Sequence, residues 1–293
     1  MTPGFWGSLS ALSWGTADFL ARFTGRAVGF VNALLALLVI SLVFLGLWMV
    51  ASGTAFVWSL TTFLLLVLAG LSFLVGYLFF YRALVWGPVT LVAPIAGSYP
   101  AMVVLIAVIL GSRPSALQWT GTFLTLVGVV VVARGGGEVE TGHTTTPVGR
   151  SPSRKRTTAA SVAAAISFAA VISITQEVVT EVGTLQTLWV PRAVALVVLV
   201  AVLTVGWARG RPRPTIPRRW WPVLTVQAGL DTAGYLTLYL ASSGPNPEIA
   251  AMASSAYYVV TVLLGRVILK ERVSLPQMGG IGLVFVGVLL LSA

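Results

Sequence analysis

Long apolar runs broken by short polar loops dominate this chain. Ten runs approach the roughly 20 residues a helix needs to cross a hydrocarbon core about 30 Å thick. They fall at 5–21, 28–50, 60–82, 89–110, 117–133, 159–179, 185–207, 220–241, 248–269 and 275–292. All are predicted as helices, because an open sheet leaves backbone groups unsatisfied in lipid. The longest polar stretch, 134–158, is rich in Gly, Thr, Ser and Pro and reads as a flexible linker. It separates a first unit, 1–133, from a second, 159–293, with five runs in each.

The halves resemble each other. Leu110, Arg113, Gln118, Gly121 and Gly128 match Leu269, Arg272, Gln277, Gly280 and Gly287 at one constant offset. Ser115–Gln118 and Ser274–Gln277 both carry a capping-box signal for a helix start. Tyr77 and Tyr81 match Tyr235 and Tyr239, and each pair precedes a Gly-Pro break, Gly87-Pro88 or Gly244-Pro245. These matches point to an internal duplication. Five crossings per copy is an odd number, so the second copy enters the membrane from the opposite side. The expected fold is all-α, ten transmembrane helices arranged as two inverted five-helix repeats, with a binding site near the midplane between them.

One run breaks the apolar pattern at its centre. On a helix over 220–241, Gln227, Asp231, Tyr235 and Tyr239 form a single stripe. A carboxylate at mid-membrane costs at least about 2.5–3.5 kcal/mol unless it is paired, protonated or hydrated. The stripe is therefore expected to face a wet interior. Arg192 lies at a similar depth in its own run and offers Asp231 a partner. Asp231 then reads as a transport residue, as half of a structural ion pair, or as both.

Composition agrees with a polytopic membrane protein: 57% hydrophobic and 9% charged residues, with a mean hydropathy of +0.95. The start of the chain lacks the basic region of a signal peptide and is read as part of the first span. There is no cysteine. The lone His143 sits in the linker, and no metal cluster, phosphate-binding loop or nucleophile–histidine pair is apparent. No cofactor, metal or enzymatic activity is expected. The net charge of +10 raises the question of nucleic acid, but the bases lie in short loops, where membrane topology explains them. With the N-terminus outside, fifteen Lys and Arg residues fall in inner loops and only Arg113 in an outer one. The positive-inside rule then places both termini outside. The loops 150–156 and 209–219 suit anionic lipid headgroups, or serve topology alone.

The duplicated set, with Trp14-Gly15 in the first run and Ser-x-x-Gln-x-x-Gly opening the fifth, resembles the EamA-type family of the drug/metabolite transporter superfamily. The resemblance spans nearly the whole chain. It implies a secondary carrier in the cell membrane, usually exporting amino acids or related metabolites. Family members often carry an acid before the fifth or tenth helix; Glu271 keeps it, while Ser112 stands at the first-repeat position. They are often drawn with cytoplasmic termini, against the charge count here.

The expected substrate contacts are Trp14, Tyr77, Tyr81, Tyr99, Gln227, Asp231, Tyr235, Tyr239 and Tyr258. Local unwinding is expected at Tyr99, between Ser98 and Pro100. Asp18 and Glu177 occupy equivalent positions and, with Gln176 and Arg192, are candidates for gating or coupling. Asp18 could equally be an interfacial carboxylate beside Arg22. The paired glycines of the fifth and tenth runs predict close helix packing, within a monomer in preference to a dimer. The expected partners are a small-molecule substrate and the bilayer, with no nucleic acid. The alternative is a channel-like or non-transporting membrane protein that binds lipid or another protein.

Overall fold

The computed structural model describes residues 3–134, 154–210, 215–242, 253, 254 and 256–291. Residues 135–153 of the expected linker with His143, the Gly244-Pro245 break and parts of both basic loops lie outside them, while Arg134 and 154–158 belong to helices. The described residues are helical, without strands. In chain order the helices are α1 (Pro3–Val28), α2 (Phe30–Ala51), α3 (Leu60–Trp86), α4 (Val89–Ala96), α5 (Tyr99–Ile109) and α6 (Ala116–Arg134). The second unit has α7 (Arg154–Ala208), a 3₁₀ turn (Arg218–Trp220), α8 (Trp221–Ser242), α9 (Tyr257–Ile268) and α10 (Leu275–Leu291).

Glycine makes the sharpest joints. Gly29, with φ of 86°, is the single residue between α1 and α2. Gly183, with φ of 76° and ψ of 166°, interrupts α7 where the sequence pattern breaks between the sixth and seventh runs. A residue with a Cβ is strained at either position. The run 89–110 is divided at Gly97 and Ser98, and Pro100, lacking an N–H, fits the first turn of α5. Ser115 and Gln118 form the expected capping box at the start of α6: the Ser115 N–H donates to Gln118 Oε1 (2.9 Å) and the Gln118 N–H to Ser115 Oγ (3.2 Å).

Five stretches among the described residues are long and apolar enough to cross a membrane: α2, α3, 89–109, α6 and α7. Helices α1 and α8, which carry Asp18 and Asp231, have the length but less apolar character. α9 and α10 are apolar and shorter.

The units interlock reciprocally. α1 packs on α8 and α9, while α7 packs on α3 and α5. α6 lies against α10. A Cβ built on Gly121 would stand 2.7 Å from the Gly287 carbonyl oxygen, and one on Gly128 2.7 Å from that of Gly280. The early residue of each helix thus meets the late residue of the other, so these equivalent helices run antiparallel about a local two-fold axis. The glycines are used inside one chain. Gly128→Ala is expected to destabilise the protein by about 1–3 kcal/mol, since the obstructing atoms are backbone. Gly282, with nothing within 4 Å of a built Cβ, is the control: Gly282→Ala should be neutral or stabilising by up to ~1 kcal/mol. Denaturant unfolding in micelles measures both.

Candidate functional site

The facing helices do not close completely. Between them lies a cavity of about 50 Å³, room for a few water molecules at roughly 10–15 Å³ each. Trp14 and Asp18 reach it from α1, Tyr77 and Phe80 from α3, and Tyr99 from α5. Phe168 and Ile172 of α7, Tyr235 of α8 and Tyr257 of α9 complete the wall. Two glycines admit the largest rings. Gly76 and Gly234 each precede a wall tyrosine; a Cβ there would fall 2.9 Å from Phe168 and 2.5 Å from Trp14. Trp14 stands edge-on to Tyr235, with centroids 4.7 Å apart, and to Tyr257, at 5.9 Å.

Directly behind this wall is a buried polar cluster. Arg192 Nη2 donates to Asp231 Oδ2 at 3.0 Å, with both side chains almost wholly buried. The Tyr77 hydroxyl donates to the other carboxylate oxygen at 2.5 Å. Arg192 Nη1 donates to the Leu188 carbonyl (3.1 Å), and its guanidinium lies over the rings of Phe73 and Tyr235. Asp231 does not itself line the cavity; it reaches the wall through Tyr77. Further along α8, Gln227 accepts from the Thr24 hydroxyl (2.8 Å) and donates to Tyr81, joining α1, α3 and α8.

At the C-terminal end of α1 a second cluster joins the two units. Arg22 Nη1 pairs with Glu271 Oε1 at 2.5 Å and donates to the Gly87 carbonyl at 3.0 Å. Glu271 also accepts the Val89 N–H, the Thr90 N–H and the Thr90 hydroxyl at 2.9–3.1 Å. Its carboxylate satisfies orphan donors in the first turn of α4, where the helix dipole favours negative charge. Gln277 Nε2 donates to the Thr90 carbonyl from α10.

Of the predicted contacts, Trp14, Tyr77, Tyr99 and Tyr235 meet at the cavity, together with Asp18, expected as a gating or coupling residue. Gln227, Tyr81 and Asp231 are structural neighbours of it. Tyr239 is engaged with Thr175 instead. Tyr258 is a correction: it is fully buried against the α4–α5 break, where a Cβ on Gly97 would meet its ring at 2.7 Å, and Tyr257 faces the cavity. Gln176 and Glu177 are also corrected, since both are exposed. Successive helix residues turn by about 100°, so Glu177 stands on the side of α7 opposite Phe168, while Gln176 shares the face of Ile172 but does not line the cavity. Glu181, one turn further on, accepts from the Thr62 hydroxyl at 2.7 Å. Asp18 is not held by Arg22, which is taken by Glu271. Sequence reasoning missed Phe168, Phe80, Ile172 and the Arg22–Glu271 pair. The glycines at 76 and 234 were the available signal for close ring approach.

The sequence pattern of the EamA-like transporter family matches residues 2–134 and again residues 157–293. The chain belongs to the EamA-like transporter family. It is thus a multi-pass membrane protein with the two-repeat architecture of the drug/metabolite transporter superfamily, a group of transporters. A stretch of 67 residues is 40% identical to an uncharacterised protein of Methanocaldococcus jannaschii, covering 23% of this chain and 49% of that relative. The chain therefore spans about half the length of this curated relative. One solved crystal structure, named only as that of a protein, superposes with a TM-score of 0.62 at 18% identity. It covers 98% of this chain and 95% of its own, a likeness in fold alone.

Proposed function

We propose that this EamA-family protein is a secondary carrier that moves a small organic solute across the cell membrane by alternating access. The observation that carries this reading is the aromatic cavity walled by both repeats, with a charged pair directly behind it. The antiparallel α6–α10 contact supports inverted repeats. Ten spans follow if α4 with α5, both limbs of α7, and each remaining α-helix, the shorter α9 and α10 included, cross once. The surplus of Lys and Arg in alternate loops favours both termini outside. The family resemblance favours export of amino acids or related metabolites. A monomer is favoured because the glycine faces are already used, and the basic loops suit anionic lipid.

At about 50 Å³ the cavity is smaller than the roughly 300–1,000 Å³ of ligand pockets. A solute enters only when the repeats rock apart, and in this reading the present structure is a contracted state. Arg22 and Glu271 latch the repeats together at the basic side of the protein.

Flux in proteoliposomes tests the proposal. Transport should saturate with solute, and Trp14→Ala or Tyr99→Ala should lower kcat/KM about tenfold, equivalent to about 1.4 kcal/mol of lost contact. Tyr258→Phe, away from the cavity, should change it little. Linear, non-saturating flux would identify a channel instead, and no flux of any solute would sink the transport reading.

A further inference from the structure

We infer that the cavity is built for an organic cation, with Asp18 as its counter-ion and the surrounding rings as its cage. This rests on the carrier reading and assigns its substrate class. The argument begins with the charges. Arg192 pairs through Nη2 with Asp231 and through Nη1 with the Leu188 carbonyl, its Nε buried without a partner, and Arg22 is held by Glu271 and the Gly87 carbonyl. Asp231 and Glu271 are likewise matched. Asp18 lines the cavity half-buried, and among the described residues it has no ion pair and no hydrogen bond. The residues that line the cavity therefore include one carboxyl group without a counter-charge and no cationic side chain. A carboxylate set in an apolar interior without a counter-charge is costly, and a bound cation supplies what is missing.

The walls agree with the charge. Trp14, Tyr99, Tyr235 and Tyr257 stand at steep or tilted angles to one another, with neighbouring centroids 4.7–6.4 Å apart. Rings gathered in this way attract ammonium and quaternary ammonium groups to their faces through the aromatic quadrupole. A zwitterionic amino acid fits less well, because its carboxylate would share the space with Asp18 and meet no available cation. An anion fits worst. The rings accept the apolar body of the solute and Asp18 its charged head, one helical turn, about 6 Å, from the latch at Arg22.

The test is binding to the purified full chain in micelles, by calorimetry, with three probes of one aromatic body. These are phenyltrimethylammonium, phenylalanine and phenylpropionate. The cation should bind at least tenfold more tightly than the other two. Asp18→Asn should weaken it tenfold or more while leaving the weak phenylalanine binding unchanged, and Asp18→Glu should retain it. Should Asp18→Asn fail to fold, Tyr257→Leu must produce the same selective loss. Equal binding of all three probes, tightest binding of phenylalanine, or indifference of the cation to both substitutions overturns the assignment. Saturable proteoliposome flux of phenylalanine without cation binding would overturn it while leaving the carrier intact.

Discussion

Asp231→Leu lowers the stability of this protein by about 3–5 kcal/mol, the range found when one partner of a buried pair is removed. Arg192 stays charged in any protein environment, so the variant leaves Nη2 without its acceptor between the rings of Phe73 and Tyr235. The Tyr77 hydroxyl loses its acceptor at the same time. The double variant Arg192→Met, Asp231→Leu removes both charges and should recover most of the loss, because well-packed apolar replacements of buried pairs are often neutral. A double-mutant cycle, read by denaturant unfolding in micelles, isolates the coupling. A single variant within 1 kcal/mol of the parent would mean that the pair contributes little. A double variant that is stable but inactive would assign the pair a part in transport beyond holding α7 to α8.

Glu271→Ala should open the end of the cavity nearest Arg22. Its carboxylate receives Arg22, two backbone N–H groups and the Thr90 hydroxyl. Hydrogen bonds to a charged group contribute about 1.5–3 kcal/mol each. Losing all four favours separation of α1 and α4 from the segment before α10. The chain has no cysteine, so a reporter at the buried Ala93→Cys reads the change directly. Labelling by a small charged thiol reagent is expected to rise at least tenfold in Glu271→Ala. Arg22→Ala should have a smaller effect, because the contacts of Glu271 with Val89 and Thr90 survive. Equal labelling in parent and variants would show that the cluster holds nothing shut.

The legible parts share one property: each depends on position along a helix. The depth of Arg192 and Asp231 in their apolar runs placed them side by side before any fold was known. The repeated Gly spacing announced a close helix pair, and α6 against α10 is that pair. Ser98-Tyr99-Pro100 announced a broken helix. The misplaced residues depend on rotation about a helix axis. Tyr258 and Tyr257 differ by one residue, hence by about 100°, and only Tyr257 faces the cavity. The same rotation turns Glu177 outward, whereas Gln176, on the face of Ile172, is exposed and does not line the cavity. Tyr258 matches Tyr99 at the constant offset of the two repeats, but the Gly97 break gives Tyr258 a separate slot.

By itself, then, the sequence determined a membrane-embedded helical protein, its duplication, and the depth of each polar group, because hydropathy and helical rise act locally and need no partner. The tertiary structure alone decided which acid is paired and which is free. Asp18 and Glu271 are both carboxylates within reach of arginines, and nothing in their local sequence separates them. Glu271 is held because the packing of one repeat against the other brings it to Arg22 and the start of α4. Asp18 is left facing the cavity because that same contact takes its neighbour away.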